Sequence, residues 1–409
     1  MKRIAIIGAG PAGLMSAATL LERNDIQDFQ IHIFEKNSEP GKKLLLSGGG
    51  RCNITTAIDD KKVLQMKYVR GWDFIKKAMG KFGPKKCYEW FEGHGLRLKV
   101  EPEARVFPIS DNARDVLGVF HSLFAKYRNR IFFHYGEGVI GIQSSAHDFL
   151  LHSAKSEYIF DIVVIATGGN AYSHTGSTGD GYSLAREFGH TISMLGPSLS
   201  SFLTKETWIH ELSGIAFEKA KINQKLHGGL ILTHFGISGP LAFMLSAEIA
   251  WINIGKGSAF HTSFSPRADM GFKEWDNFLK EGFERSPKKF LITILSEKVP
   301  KRFSEIFVKE FFPGLLESFV GGISKKSRDD IAKLLGEGIP ITLLERRAGD
   351  EFVTAGGVNT HEIHPETMES KIQKNLYFAG EILNVDGYTG GFSLQICWAS
   401  GYVVGKSIH

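Results

Sequence analysis

The sequence contains only three cysteines, Cys52, Cys87 and Cys397, among 409 residues. They are far apart and odd in number, so a disulfide framework is not predicted and a reducing, cytoplasmic compartment is expected. Because no two of them form a Cys-x-x-Cys pair, the composition also argues against a thiol–disulfide oxidoreductase.

Long apolar runs are also lacking. No stretch approaches the roughly 20 consecutive apolar residues of a membrane-spanning helix, so no membrane partner is expected. Lys2 and Arg3 precede a short apolar run, but Gly8, Gly10 and Pro11 interrupt it too early for a secretory signal peptide. The fifteen histidines include no His-x-x-x-His pair, and we predict no metal site.

The net charge of +5 is modest but unevenly distributed. Between Lys61 and Lys99 there are eleven Lys or Arg residues and three acidic ones, a local excess of +8, which leaves −3 for the rest of the chain. Six aromatic residues are interleaved with these cations: Trp72, Phe74, Phe82, Tyr88, Trp90 and Phe91. This basic stretch fits a nucleic acid, with cations on phosphates and rings on bases. The alternative is a pair of amphipathic helices with their rings inward and their lysines in solvent.

Residues 4–13 form an apolar strand that leads into three glycines. Gly8, Gly10 and Gly13 have the spacing of a dinucleotide-binding turn, which also contains Pro11 and Ala12. A helix is expected to follow over residues 14–23. A second apolar strand, residues 30–34, ends at Glu35, where an acidic side chain binds the adenosine ribose. The alternative is a structural turn between packed elements. No second fingerprint of this kind occurs, so a permanent domain for NADPH is not expected.

Residues 40–53 are rich in glycine and carry Lys42, Lys43 and Arg51, which suit phosphate groups. This segment resembles the signature of the BaiN-like FAD-binding flavoproteins, a family also called aminoacetone-oxidase-like or YhiN-type. Further segments match that family in order over nearly the whole chain: 105–110, 163–169, 175–182, 233–240, 354–358, 379–381 and 386–392.

The resemblance implies an α/β fold: a Rossmann-like FAD-binding domain of the two-dinucleotide-domain flavoprotein type. It carries an inserted small β-barrel domain and a helical insert domain. We assign residues 1–191 and 348–409 to a discontinuous FAD-binding domain, 192–270 and 339–347 to the barrel-like substrate domain, and 271–338 to the helical insert. Within the insert, Ser327 and Asp330 are expected to cap a helix over residues 331–335. A C-terminal helix is expected over residues 393–404.

FAD is therefore the expected cofactor. The motifs assign the following residues to its binding: Gly8, Gly10, Pro11, Ala12, Gly13, Glu35, Lys36, Lys43, Ser47, Gly49, Gly50, Arg51, Cys52, Asn53, Thr167, Gly168, Gly169, Gly380, Glu381, Asp386, Gly391 and Phe392.

The catalytic candidates adjoin these glycine-rich segments. They are Cys52, His234 and Arg105, with His174 and Tyr388 also considered. Arg51 is expected to acidify the Cys52 thiol, which would make it a proton donor; the alternative is a small residue packed under the flavin. His234 is either an acid or a hydrogen-bonded core histidine.

The resemblance implies an FAD-dependent oxidoreductase that transfers hydride to an activated C=C bond. Its candidate substrates are uracil in ribosomal RNA, bound by the basic stretch, and a small unsaturated steroid-like acid, with NAD(P)H as a transient reductant. The alternatives are an oxidase of a small amine or hydroxy compound and a flavin-carrying RNA-binding protein without turnover. The sequence leaves the oligomeric state open.

Overall fold

A computed structural model describes residues 1–26, 28–145, 148–349 and 351–409. The chain forms two compact units. The first comprises Met1–Ser198 and Phe352–His409, and the second comprises Leu199–Glu351. This two-part division leaves the finer three-domain boundaries as a prediction.

The strands and helices follow in chain order. The first part of unit 1 contains β1 Lys2–Ile7, α1 Pro11–Leu21, β2 Phe29–Glu35, α2 Lys42–Leu46, β3 Thr55–Thr56, α3 Lys61–Gln65, β4 Tyr68–Arg70, α4 Trp72–Lys81, α5 Pro84–Gly93, β5 Leu98–Glu101, β6 Arg105–Pro108, α6 Ala113–Phe124, β7 Ile131–Tyr135, β8 Val139–Ser144, β9 Phe149–Ser153, β10 Glu157–Phe160, β11 Ile162–Ile165, α7 Asp180–Glu187 and β12 Gly196–Ser198. Unit 2 contains β13 Phe202–Thr204, α8 Thr207–His210, β14 Ala216–Ile222, β15 Leu226–Thr233, β16 Gly236–Ser238, α9 Pro240–Glu248, β17 Phe260–Ser265, α10 Phe272–Arg285, α11 Leu291–Leu295, α12 Lys301–Phe311, α13 Lys325–Glu337 and β18 Ile339–Arg346. Unit 1 resumes with β19 Val353–Ala355, β20 Leu376–Phe378, β21 Asp386–Gly387 and α14 Phe392–Ser407.

The centre of unit 1 is a parallel sheet in the order β20-β11-β1-β2-β7. Its middle strand, β1, has a neighbouring strand on each side and is buried from Ile4 to Ile7, as is typical of parallel sheets, whose two faces are covered. Parallel strands end at the same edge, so the segments after β1, β2, β11 and β20 meet there. This edge is where ligands of open α/β sheets bind.

Helices α1 and α14 pack against each other through small residues. A Cβ on Gly401 would lie 2.5 Å from the Ala12 carbonyl oxygen, and a Cβ on Gly405 would lie 2.5 Å from Thr19 Cβ. Both helices were expected, and their observed bounds differ from the predicted ones by a few residues. The contact brings the first and last helices of the chain together beside the sheet edge.

The barrel of unit 2 is closed in the order β13-β16-β15-β14-β17-β18, with antiparallel pairing throughout. The expectation of an inserted small barrel is therefore confirmed. Helices α10 to α13 contribute Trp275, Phe303 and Phe307 to the apolar core of the same unit, and all three side chains are fully buried.

One predicted helix start in this unit is wrong. Ser324, not Ser327, is the N-cap of α13, because its side chain accepts a hydrogen bond from the Ser327 amide at 3.1 Å. Ser327 and Asp330 lie inside the helix. Ser324-x-x-Ser327 was overlooked because a serine three residues on is a weaker N-terminal signal than an acid.

Candidate active site

The glycine turn after β1 has the geometry that its spacing predicts. Gly8 has a φ of +105°, and a Cβ there would lie 2.5 Å from the Ala166 carbonyl oxygen. At Gly13 a Cβ would lie 2.0 Å from the Gly8 oxygen, whereas at Gly10 it would meet no atom within 4 Å. Gly8 and Gly13 are thus required by packing. Gly10 instead leaves open space beside the start of α1.

That space lies at the N-terminus of a helix with no side-chain cap and no acidic residue in its first turn. Pro11 occupies the first helical position, where a missing N–H costs nothing. The free N–H groups and the helix dipole favour an anion at such a terminus. The turn therefore fits a pyrophosphate.

Glu35 ends β2 at the same edge and is buried. Its Oε2 accepts from the Ala9 amide at 3.0 Å, and its Oε1 accepts from the amide and the side chain of Asn37 at 2.8 and 2.7 Å. A carboxylate has about four acceptor positions. These three bonds fix its orientation, and the remaining position on Oε2 can accept a ribose hydroxyl.

The glycine run after α2 adopts backbone conformations that other residues rarely reach. The φ angles of Gly48, Gly49 and Gly50 are +59°, +70° and +86°, and a Cβ on Gly49 would meet nothing within 4 Å. Cys52 also has a positive φ, +61°, although it has a side chain. Such strain persists only where the surroundings hold it, and it is most common at functional sites. The run is therefore an exposed ribbon of backbone, as expected for a surface that a ligand covers.

Several cations assigned to FAD binding already have carboxylate partners. Lys43 Nζ lies 2.7 Å from Glu381 Oε2, and Lys36 pairs with Asp180. Arg51 pairs with Glu101 and Asp111, and its guanidinium lies 4.0 Å from the centre of the Phe107 ring. Charge on these three residues is thus largely compensated within the protein.

The Thr167-Gly168-Gly169 turn is held by Thr354, which the sequence marked only as part of the matched segment 354–358 and to which it gave no role. Thr354 Oγ1 accepts hydrogen bonds from the amides of Asn170 and Ala171 at 2.7 and 2.9 Å. The Thr354 amide donates to Glu381 Oε1 at 2.9 Å. Thr354 therefore couples the turn after β11 to the residues after β20. Within the turn, Thr167 Oγ1 is buried and has no hydrogen-bond partner among the described residues.

Asp386 is fully buried, and its carboxylate is bound by Arg70. Burial raises the pKa of the Asp386 carboxyl above its usual value, although Arg70 opposes that effect. Arg70 was counted only as one cation of the basic stretch. The loop that follows Asp386 ends at Gly391, whose φ of +87° and close approach to the Thr55 oxygen exclude a side chain.

Helix α14 begins at Phe392, directly after that loop, and its N-terminus has no side-chain cap. Two buried side chains fix it to the segment after the glycine run. Trp398 Nε1 donates to the Ile54 oxygen at 2.9 Å, and Gln395 Oε1 accepts from Thr55 Oγ1 at 2.6 Å. A second uncapped helix N-terminus thus lies beside the glycine run, where it can stabilise negative charge.

Cys52 is fully buried, and burial raises the pKa of its thiol to about 12. The expected acidification by Arg51 is therefore wrong in direction, because Arg51 is paired with Glu101 and Asp111 and burial disfavours a thiolate. The environment matches the alternative of a small residue packed beneath the site. Its catalytic role remains an untested prediction.

The other catalytic candidates lie in different surroundings. Arg105 begins β6 with its side chain 39% exposed, and the next residue, Val106, donates its amide to Asn53 Oδ1 at 3.3 Å. His174 is exposed in the short 3₁₀ helix Ser173–Thr175 after Gly169. The Tyr388 amide donates to the Lys67 oxygen at 2.9 Å. His234 belongs to unit 2. There it is exposed in the turn between β15 and β16, so the alternative of a core histidine is wrong, and its role as an acid stays a prediction.

The basic stretch folds mainly as α3, α4 and α5. Phe74, Phe82 and Phe91 are buried, and the Phe82 ring stacks on Tyr402 of α14 at 4.5 Å. The lysines of these helices are exposed. The amphipathic interpretation is therefore the one that the structure shows, and these three rings are not available to stack on bases.

The described residues contain no group of three or more His, Cys, Asp or Glu side chains arranged to hold a metal ion. None of the described helices combines the length and apolar character needed to cross a membrane.

A parallel sheet with a glycine turn, a buried acid at the end of the second strand and two uncapped helix N-termini defines a Rossmann-type dinucleotide-binding protein. The family described as HI0933-like protein Rossmann domain matches residues 2–407, and the chain belongs to this family. It is an FAD-dependent oxidoreductase, and FAD is its cofactor. The expected family, fold class and cofactor are confirmed.

Relatives match along nearly the whole chain. The 3-dehydro-bile acid delta(4,6)-reductase of Clostridium scindens is 30% identical over 100% of this chain and 99% of its own length. The ribosomal RNA dihydrouridine synthase of Haemophilus influenzae is 27% identical over 98% of this chain and 97% of its own. A solved structure, Mycobacterium smegmatis Sdh1 in complex with UQ1, has a TM-score of 0.50 at 13% identity and covers 100% of this chain and 69% of that one. This last likeness concerns the fold alone.

Proposed function

We propose that the protein adds two hydrogens across a C=C bond conjugated with a carbonyl group. The observation that carries the proposal is what its full-length relatives share. One is named for a bile acid and another for ribosomal RNA, yet both names describe the saturation of a double bond in a conjugated system. A carbonyl makes the distant carbon of such a bond electron-poor, so that it accepts hydride, while the nearer carbon takes up a proton.

The flavin, when bound and reduced, supplies hydride to such a carbon. The chain itself holds the cofactor, with its phosphates at the start of α1 and its ribose at Glu35. The glycine run, which has no side chains to intervene, offers its backbone to the rest of the molecule. The N-terminus of α14 stabilises negative charge beside this run.

Arg105 is our candidate for binding the carbonyl of the substrate. Its Nε donates to the Pro102 oxygen at 3.1 Å, and a guanidinium has five N–H donors, so further ones can bind a carbonyl. Loss of such a bond is expected to lower kcat by about 100-fold, as for an oxyanion-hole donor. Arg105→Lys keeps the charge but not the planar donor pair, and should recover only part of the activity.

For the substrate we retain uracil in ribosomal RNA and an unsaturated steroid-like acid. The RNA version rests on the exposed lysines of α3, α4 and α5, without the base stacking first expected of the buried rings. The electron donor is proposed to be NAD(P)H and the compartment the cytoplasm.

The test begins with anaerobic reduction of the purified yellow protein by NADH or NADPH. Precursor ribosomal RNA or a steroid enone acid is then added, and reoxidation is followed at the flavin absorbance. Mass spectrometry should show a product heavier by two hydrogens. Rapid reoxidation by oxygen with stoichiometric peroxide, and none by either substrate, would instead establish an oxidase. Salt-sensitive RNA binding without reoxidation would indicate a non-catalytic RNA-binding protein.

A further inference from the structure

A cleft of about 490 Å³ lies in unit 1 beside α2. Its lining includes Glu39, Lys42, Leu45, Leu46, Arg114 and His174. No residue of the Gly8–Gly13 turn, of the Thr167–Gly169 turn or of the Gly380–Glu381 segment lines it. Of the residues assigned to FAD, Gly50 lines the cleft, so the cleft borders the glycine run but none of the three turns at the sheet edge.

Helix α2 borders the cleft with one face and reaches the sheet edge with another. Lys42, Leu45 and Leu46 are three and four residues apart and share one face of the helix, which borders the cleft. Lys43 extends elsewhere, since its ammonium pairs with Glu381 after β20. The helix thus presents one cation to the sheet edge and another to the cleft.

Cations in the cleft differ from the other cations around the site in having no acidic partner. Lys36, Lys43 and Arg51 each pair with a carboxylate. Among the described residues, by contrast, no carboxylate lies within ion-pair distance of Arg114 or Lys42, and Lys42 Nζ reaches only Asn37 Oδ1 at 3.4 Å. The positive charges of Lys42 and Arg114, which no carboxylate among the described residues compensates, therefore both lie at the cleft.

We propose that this cleft binds the phosphate groups of NADPH while FAD occupies its own site. The proposal rests on the proposed function, because a flavin reductase needs a reductant and the chain has a single dinucleotide fingerprint. The volume lies within the range of small-molecule sites, about 300–1,000 Å³. Arg114 and Lys42 supply charge-assisted donors for phosphate, His174 adds a ring nitrogen, and Leu45 and Leu46 offer an apolar wall to the rings.

Binding of NADP⁺ to the FAD-loaded protein, measured by calorimetry without substrate, tests the proposal. Arg114→Ala and Lys42→Gln should each weaken binding about tenfold, as expected for one lost charged contact. Glu39→Gln should strengthen it, because Glu39 repels phosphate across the cleft. NAD⁺, which lacks the 2′-phosphate, shows whether that group or the pyrophosphate is recognised. Arg97→Ala, which removes an exposed arginine outside the cleft, is the matched control and should bind like the unchanged protein.

The FAD-to-protein ratio and the melting temperature are measured on every variant. They should stay unchanged, which separates a second site from the flavin site itself. The proposal is overturned if the unchanged protein does not bind NADP⁺, or if Arg114→Ala binds it equally well. It is also overturned if FAD content falls together with NADP⁺ affinity. None of these readouts needs a C=C substrate, so a failure of the reductase proposal would be seen separately.

Discussion

Arg70 and Asp386 are 316 residues apart and form a two-bond ion pair, with Nε to Oδ1 and Nη2 to Oδ2 both 2.5 Å long. The carboxylate is fully buried, and the guanidinium is 12% exposed. Asp386 precedes the loop that leads to α14. The pair therefore joins the basic stretch to the C-terminal part of the candidate flavin site.

Replacing Arg70 by alanine should destabilise the protein by about 3–5 kcal/mol, because it leaves a carboxylate buried and unpaired. Urea denaturation measures this loss, and flavin content should fall with it. Arg70→Lys should recover only part of the lost stability, since an ammonium cannot donate two parallel hydrogen bonds. The exposed pair of Lys76 with Asp73 serves as the control: Lys76→Ala should cost less than about 1 kcal/mol. Equal effects of the two alanine variants would contradict this account.

Gly10 and Gly13 should respond differently to alanine. Gly13→Ala is expected to destabilise even the cofactor-free protein by about 1–3 kcal/mol, because its Cβ would strike the Gly8 oxygen. Gly10→Ala meets no protein atom and should fold normally, yet bind FAD at least about tenfold more weakly, since the new methyl group enters the pyrophosphate space. Thermal melts and flavin titrations distinguish the two. Unchanged FAD affinity in Gly10→Ala would place the pyrophosphate elsewhere.

Cys52→Ala should keep kcat within about threefold of the original value, because a fully buried thiol with a pKa of about 12 is a packing residue rather than a proton donor. A general acid contributes about 100-fold or more. Single-turnover reoxidation of the reduced protein by its substrate measures the effect. A loss of that larger size, with normal FAD content, would restore Cys52 as a catalytic residue.

The stability of unit 1 should fall as the pH is lowered from about 6.5 to 4, because of two histidines on neighbouring strands of the central sheet, His32 on β2 and His134 on β7. His32 Nδ1 lies 3.0 Å from His134 Nε2. Burial, with the charges of His134 and Arg3, lowers the pKa of His32 to about 4. Burial also lowers the pKa of His134, against the opposing effect of Glu137.

Below pH 6.5 these two histidines therefore bind protons in the unfolded chain but much less in the folded chain. The free energy of unfolding falls as the pH falls. His32 alone should account for about 2 kcal/mol between pH 7 and pH 5. Urea midpoints at the two pH values measure this, and His32→Gln should reduce the difference. His121→Gln, at an exposed position, should leave it unchanged. A difference that persists in His32→Gln would assign the pH dependence to other groups.

Local chemistry explains why part of this structure could be predicted. Gly8, Gly13 and Gly391 are needed by backbone geometry that no other residue adopts without a clash, so their spacing identifies the turns directly. The strands next to these turns are recognisable as well, because their apolar residues are close together in the sequence. Nothing comparable reveals the role of Thr354, which matched only as part of segment 354–358 and holds the turn after β11 from 184 residues away.

The sequence by itself determined the dinucleotide-binding turn, because glycine spacing and apolar periodicity depend on neighbours along the chain. The FAD cofactor and the family followed from the resemblance of its ordered motifs to a known family. The tertiary structure alone decided which charges are compensated. It paired Arg51 and Lys43 with carboxylates, buried the Cys52 thiol, and left Lys42 and Arg114 facing a cleft without an acidic partner among the described residues. The physical reason is that charge pairing and desolvation depend on distances between residues far apart in the chain, which only the folded structure sets.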